Sequence, residues 1–90
     1  MIRTCRDKRT ARFLEGKRVA IFDGIRDSAR RTLARLHAAM KLSDFRPGDR
    51  LELLQGGRVG QHSIRINDQF RVCFVWRDGD AFDVEIVDYH

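Results

Sequence analysis

The chain has 90 residues and a mass of 10.5 kDa, which is the size of one domain with a small core. Its 42% hydrophobic and 34% charged residues are typical of a globular protein and exclude a disordered one. No apolar run approaches the ~20 residues that span a bilayer, and two cysteines are too few for a disulfide framework or a zinc site. The composition therefore predicts a single domain over residues 1–90, in the cytoplasm, with no membrane association.

The charge is divided unevenly along the chain. Eighteen Lys and Arg residues against 13 Asp and Glu residues give a net charge of +5. Residues 1–50 hold 14 of the cations and six of the acids, whereas residues 51–90 hold four cations and seven acids. Fifteen of the cations are Arg, which is well suited to bidentate phosphate contacts. The basic half predicts a polyanionic partner, either a nucleic acid or an acidic protein segment, although a solvated helix surface gives the same pattern.

The beginning of the chain predicts an edge strand followed by a short helix. Residues 1–6 are short and mixed, as in a strand at the edge of a sheet. Asp7 is suited to cap a helix over residues 8–15. Ala11 and Leu14 have the spacing of a buried helix face, so we expect them to contact the core.

A longer helix is predicted over residues 22–40, where apolar residues recur every three or four positions. This stripe consists of Phe22, Ile25, Ala29, Leu33, Leu36 and Met40. Arginines occupy the other faces of the helix, and Gly24 weakens its first turn.

The second half of the chain predicts an antiparallel sheet. The apolar period changes to two, and tight turns are indicated at residues 67–69 and at Asp78-Gly79. The predicted strands lie at residues 51–54, 62–66, 70–77 and 81–88.

Strand parity divides this sheet into a buried face and an open face. The buried face is assigned Ile64, Ile66, Phe70, Val72, Phe74, Trp76, Phe82, Val84 and Ile86. The two helices must cover these residues, because nothing else in the chain can, which predicts a two-layer α+β domain. The open face is assigned Ser63, Arg65, Arg71, Cys73, Arg77, Asp83, Glu85 and Tyr89.

Arg65 and Arg71 flank one turn, so they are expected to approach each other across the hairpin. Like charges that face each other destabilise a sheet by about 0.2–1 kcal/mol, so this pair needs acidic neighbours or an anionic ligand. Two interpretations stay open at this point. The arginines form ion pairs with Asp83 and Glu85, or they form a clamp for phosphate.

The chain ends on the tripeptide Asp88-Tyr89-His90, which combines a carboxylate, a phenol and an imidazole. The sequence contains no glycine-rich phosphate loop and no paired Cys/His metal spacing, so neither a cofactor nor a metal is predicted. Cys73 is expected to be a small residue in the middle of the sheet rather than a nucleophile, because no histidine is placed by sequence to activate it.

Several blocks of the sequence resemble one known family over essentially the whole chain. The most specific blocks are SIRINDQFRVCF at residues 63–74 and DVEIVDYH at residues 83–90. Further support comes from FLEGK at residues 13–17 and PGDRLE at residues 47–52. With these blocks, the chain resembles the HigB toxins of plasmid maintenance systems, which belong to the RelE/ParE superfamily.

The resemblance implies the toxin of a type II toxin–antitoxin system, with helices packed on a small antiparallel sheet. It implies an mRNA endonuclease that works on translating ribosomes without a metal and inhibits translation. It also implies a HigA-like helix-turn-helix antitoxin, through which alone the toxin would meet DNA. Carried over by position, Arg71, Asp88, Tyr89 and His90 are the catalytic candidates. Arg65 joins Arg71 as a candidate phosphate ligand, because parity puts both on the open face.

One block departs from the family pattern. Many relatives carry a lysine in a Leu-Lys-Gly block, where this sequence reads Leu54-Gln55-Gly56, and some carry a histidine shortly before it, near Glu52. Arg58 follows three residues later and is the candidate to supply the missing cation. The departure leaves two alternatives open. These are a ParE-like inhibitor of DNA gyrase, and a catalytically weakened homologue that acts as an antitoxin-bound repression partner.

Overall fold

The computed structural model describes residues 1–89 and contains two α-helices and one four-stranded sheet. The helices are α1 (Lys8–Leu14) and α2 (Arg26–Ala38). The strands are β1 (Glu52–Leu53), β2 (His62–Arg65), β3 (Phe70–Arg77) and β4 (Asp80–Asp88). Each strand pairs antiparallel with the next, in the order β1-β2-β3-β4. The predicted α+β fold class is confirmed.

Helix α1 buries a different face from the one that the sequence predicted. Its buried residues are Thr10 and Phe13, whereas Ala11 is half-buried and Leu14 is 37% exposed. The reason is a contact with the sheet, because the backbone N–H of Ile86 donates to the Thr10 hydroxyl at 3.1 Å. This buried hydrogen bond turns the Thr10 side of the helix towards β4.

The predicted long helix is in fact a 3₁₀ segment, Ala20–Ile25, followed by α2. The tighter winding coincides with Gly24, the residue expected to weaken the first turn. The stripe is buried at Phe22, Ile25, Ala29, Leu33 and Leu36. Met40 is 79% exposed, because α2 ends at Ala38 and Ala39 is already extended.

The predicted hairpin turns are both present. Asp78 and Gly79 have φ values of 54° and 79°, as a two-residue turn between β3 and β4 requires. Between β2 and β3, the Asn67 side-chain oxygen accepts hydrogen bonds from the N–H groups of Gln69 and Phe70. These turns fix the register of the three long strands.

A bulge in β4 overturns the predicted face of Phe82. The register of β4 on β3 shifts by one residue in this region, where Asp83 has a φ of 52°. Ala81 therefore takes the buried position, and Phe82 lies on the open face with the Arg77 guanidinium carbon 4.3 Å from the centre of its ring.

The N-terminal segment lies along the outer edge of β4, as an edge strand would. Ile2 and Cys5 form isolated parallel bridges with Ala81 and Val84. The core between helices and sheet is built from Phe13, Phe22, Ile25, Ala29, Leu33, Leu36, Ile64, Phe70, Val72, Phe74, Ala81, Val84 and Ile86. Neither α-helix in the described part of the chain is long and apolar enough to cross a membrane.

Candidate active site

An open groove of about 390 Å³ lies beside the β2–β3 turn, on the side of the sheet that faces away from the helices. Its lining consists of Arg50, Glu52, Arg65, Asn67, Asp68, Arg71 and Tyr89. Three of the residues predicted from the sequence, Arg65, Arg71 and Tyr89, therefore come together in one place.

Arg71 is the most firmly held cation of the groove. Its Nε donates to the Ser63 hydroxyl at 2.8 Å, and its Nη2 donates to the Arg50 carbonyl at 2.5 Å. Nη2 also lies 3.9 Å from Glu52 Oε1, and only 12% of the Arg71 side chain is exposed. A guanidinium fixed in this way keeps one orientation beside the groove before any ligand arrives.

The loop before β1 places the carbonyl that holds Arg71. Arg50 has a φ of 48°, a left-handed conformation that turns the chain after the 3₁₀ segment Pro47–Asp49. Asp49 is buried. Its carboxylate accepts hydrogen bonds from Arg35 Nε at 2.8 Å and from the Arg46 backbone N–H at 2.9 Å. The loop is thereby tied to α2, so the helix layer helps to set the geometry of the groove.

Arg65 stands directly opposite Arg71 in the β2–β3 register, as predicted. Neither arginine pairs with Asp83 or Glu85, so that interpretation of the open face is wrong. Arg65 instead bonds to Asp68, three residues further along the turn. Asp83 lies at the bulge. Glu85 is opposite Cys73, which is two residues after Arg71 in β3.

Arg58, rather than Arg65 or Arg71, forms the ion pair with Glu85. Its Nη1 donates to Glu85 Oε1 at 3.0 Å and to Gln61 Oε1 at 3.1 Å. Burial acts to lower the pKa of Arg58, but the hydrogen bond and charge of Glu85 raise it overall. Gln55, where many relatives have a lysine, is exposed immediately before the 3₁₀ segment Gly56–Arg58.

Tyr89 lines the groove from the position after β4. Its backbone N–H donates to the Gln69 carbonyl at 2.5 Å, and the residue is 37% exposed. Burial, followed by Cys73, raises the pKa of Tyr89 above 10, although the nearby charges of Arg58 and Arg71 act to lower it. The phenol therefore stays protonated at neutral pH and can act as a hydrogen-bond donor.

The remaining predicted residues lie at the end of the chain. Asp88 is opposite Phe70 in the register, and its Oδ2 accepts from Gln69 Nε2 at 3.2 Å. His90 lies outside the described residues, so its role stays a prediction. Within residues 1–89, no group of three His, Cys, Asp or Glu side chains is placed to hold a metal ion.

Sequence reasoning missed Arg50, Glu52, Asn67 and Asp68 as lining residues. Glu52 belongs to a predicted strand, but a strand of two residues is too short for alternation to show which side chain points to the open face. The pairing of Glu52 with Ser63 shows that Glu52 lies on the open face, because Ser63 is on that face. The sequence signal that could have indicated these lining residues was the presence of charged residues in the first strand and in the turn at 67–69.

The fold and the groove define a small α+β protein with an open, arginine-lined groove on its sheet. The sequence model of the HigB-like toxin family, described as the RelE-like toxin of the type II toxin–antitoxin system HigB, matches residues 3–90. The chain therefore belongs to this family of toxins.

One relative is similar in sequence, and one solved structure is similar in fold. Toxin HigB-1 of Vibrio cholerae serotype O1 (strain ATCC 39315 / El Tor Inaba N16961) is 47% identical over 55 residues, which are 59% of this chain. The match spans 58% of that relative's length. The solved YoeB-YefM complex from Staphylococcus aureus contains a chain with a TM-score of 0.60 and 14% identity. That alignment covers 100% of this chain and 98% of the other, and it shows a shared fold.

Proposed function

We propose that this protein is the active toxin of a toxin–antitoxin pair and cleaves mRNA on the ribosome, which inhibits translation. The observation that carries the proposal is Arg71, fixed by Ser63 and the Arg50 carbonyl in a groove that also holds Arg65 and Tyr89. Family membership supports it, because toxins of this kind are generally endoribonucleases.

Cleavage of RNA by its own 2′-hydroxyl requires a base, cations for the pentavalent phosphate and an acid for the leaving 5′-oxygen. We assign the phosphate to Arg71, assisted by Arg65 from the facing strand. A preorganised donor of this kind typically contributes roughly 10²–10³ in turnover. Two facing arginines repel each other, and an anion bound between them would offset this repulsion, which favours a phosphate ligand.

The other predicted residues complete the site around this phosphate. His90 is the proposed proton-transfer group, and Asp88 is proposed to orient it. Tyr89 lines the groove with a protonated phenol, which suits it to position the nucleotide. Arg58, which is ion-paired with Glu85, is proposed to supply a further cation in place of the lysine that Gln55 replaces.

The proposed partners follow from the same assignment. A HigA-like helix-turn-helix antitoxin would neutralise the toxin and carry the pair to DNA. The ribosome would present the mRNA, and the basic helical half would contact ribosomal RNA or the antitoxin. These partners place the protein in the cytoplasm.

Primer extension on a defined mRNA in a reconstituted translation reaction tests this function. We expect cuts by the wild-type protein only when ribosomes are present, and Arg71→Ala should lower cleavage by at least about tenfold and weaken binding. Arg77→Ala is the matched control, because Arg77 is an exposed arginine of the same strand that stacks on Phe82 outside the groove. It should cut like the wild type.

Intact mRNA after treatment with folded wild-type protein would overturn the proposal. Inhibition of supercoiling by purified gyrase in the same preparation would then identify the ParE-like alternative. Equal cleavage by Arg71→Ala and the wild type would remove Arg71 from the site.

A further inference from the structure

The charges that line the groove do not balance. The lining includes three arginines, Arg50, Arg65 and Arg71, and two carboxylates, those of Glu52 and Asp68. Arg65 bonds to Asp68, and Arg71 Nη2 stands 3.9 Å from Glu52 Oε1. The side chain of Arg50 is exposed and forms no ion pair within residues 1–89. The uncompensated positive charge of the groove therefore belongs to Arg50.

The backbone of Arg50 is fixed, so its side chain starts from a defined point. The Arg50 N–H donates to the Pro47 carbonyl at 3.2 Å, and the Arg50 carbonyl accepts from Arg71 Nη2 at 2.5 Å. The φ of 48° is in the left-handed region, which glycine adopts without the steric cost that an arginine side chain adds. The local backbone would favour glycine, so the arginine side chain calls for a role outside the fold.

The sheet register brings the three arginines to one end of the sheet. Arg65 faces Arg71 across β2 and β3. Glu52 faces Ser63 across β1 and β2, so Arg50, two residues before Glu52, lies at the end where Arg65 follows Ser63. Adjacent strands are about 4.8 Å apart. The arginines therefore come from three neighbouring segments and form a row that crosses the strands.

We infer that Arg50 binds the phosphate next to the scissile one; the inference rests on the proposed function. The carbonyl of Arg50 holds the guanidinium that is assigned to the scissile phosphate, so the Arg50 side chain starts beside that phosphate. Consecutive phosphates of one strand are separated by a ribose, so a single guanidinium does not hold both. The unpaired guanidinium of Arg50 is suited to the second phosphate, because arginine forms charge-assisted, bidentate bonds to phosphate. The ligand is then an RNA strand with two consecutive phosphates in the groove.

This contact is expected to change binding and not chemistry. The neighbouring phosphate keeps its charge throughout the reaction, so Arg50 interacts with it equally in the ground state and in the transition state. Such uniform binding lowers the toxin concentration needed for half-saturation and leaves the maximal rate unchanged. Arg71 differs, because charge develops on the scissile phosphate during cleavage.

Single-turnover cleavage of ribosome-bound mRNA at increasing toxin concentration is the first test. Arg50→Gln should raise the concentration for half the maximal rate by about tenfold, with little change in the maximal rate itself. Arg50→Lys should recover part of the affinity. Arg77→Gln is the matched control, because it also removes one exposed arginine from the open face, but at the far end of β3 and outside the groove. It should match the wild type.

Removal of one phosphate charge identifies the group that Arg50 binds. After the cut site is mapped, two mRNAs are prepared with a neutral methylphosphonate at the phosphate on the 5′ side or on the 3′ side of the scissile one. One of them should weaken wild-type binding by about tenfold and have little further effect on Arg50→Gln. Contacts of the ribosome with that phosphate cancel in the comparison, because both proteins meet the same ribosome complex.

Arg50→Gly separates binding from folding. This variant removes the side chain together with the steric cost of its left-handed backbone, so it should bind as weakly as Arg50→Gln without losing melting temperature. Loss of melting temperature in both variants would instead make Arg50 a structural residue and overturn the inference.

Three further results would overturn the assignment. Wild-type half-saturation by Arg50→Gln would exclude the contact, and an undiminished methylphosphonate penalty in that variant would assign the phosphate to another group. A lower maximal rate with unchanged half-saturation would place Arg50 in the chemical step. Absence of cutting by the wild type is a different failure, because it overturns the proposed function and the assignment falls with it.

Discussion

At the scale of single residues, the groove shows that the surroundings of a side chain decide its use. Arg71 is fixed by the Ser63 hydroxyl and the Arg50 carbonyl, so it holds a defined orientation before any ligand arrives. Glu52 is exposed and close to Arg71 without a hydrogen bond to it, so its carboxylate is accessible from the groove. Sequence parity identified Arg71 as an open-face residue, but only the contacts distinguish the fixed cation from the accessible carboxylate.

His62 gives a prediction about stability and pH. Its ring stacks on Phe74 with centroids 6.0 Å apart, and Nδ1 is buried with no hydrogen-bond partner among the described residues. Burial lowers the pKa of His62 below its ordinary value of 6.5. The neutral ring therefore stabilises the fold above about pH 6.5, and this stability is lost as the pH falls through the folded-state pKa.

Thermal unfolding as a function of pH checks this expectation. The wild type should lose melting temperature on acidification, and His62→Phe should lose that part of the pH dependence while keeping the stacking. The same acid profile in the wild type and His62→Phe would contradict the account.

At the scale of elements, periodicity predicted the strands well and the helix faces less well. Strand β3 begins and ends at the predicted residues, because alternation over eight positions and two turn signals define it. The bulge at Asp83 was not predictable, since an aspartate with positive φ arises from how β4 fits α1 and the N-terminal segment. The Asp83 N–H donates to the Thr4 hydroxyl at 2.8 Å, a contact between residues 79 positions apart.

Thr10 provides the stability prediction at this scale. Thr10→Val keeps the shape of the side chain but leaves the buried Ile86 N–H without its acceptor, which should cost about 1–3 kcal/mol. Thr32→Val is the matched control, because the Thr32 hydroxyl bonds to the Ser28 carbonyl within α2 and no buried donor is orphaned. It should cost about 1 kcal/mol or less. Urea unfolding measures both, and equal losses would show that the Thr10 hydrogen bond does not join helix to sheet.

At the scale of the whole molecule, the groove is assembled from three distant parts of the chain. Arg50 comes from the loop after α2, Arg71 from β3 and Tyr89 from the residue after β4. The family resemblance predicted two of these residues by position. The place of Arg50 in the groove could not be predicted. It depends on the β1–β2 register and on the Asp49–Arg35 ion pair, which no local sequence pattern indicates. The fold class, by contrast, could be predicted from the sequence, because it depends on apolar patterns that are repeated over many residues.

The two halves of the molecule also divide the proposed work. The basic half consists largely of the helices and their loops, whereas the groove belongs mainly to the sheet, which is formed by residues 52–88. Long-range attraction to a polyanion and chemistry at one phosphate are therefore separated in the fold. We propose that the sheet groove cleaves RNA through attack of the 2′-hydroxyl.

Replacement of one ribose tests that claim most directly. The cut site is first mapped by primer extension, and an mRNA is then prepared with a single 2′-deoxynucleotide on the 5′ side of the scissile phosphate. We predict that ribosome-bound mRNA of this kind resists cleavage at that position, while the all-ribose mRNA is cut to a 2′,3′-cyclic phosphate and a 5′-hydroxyl. Undiminished cutting at the deoxy position would contradict the account.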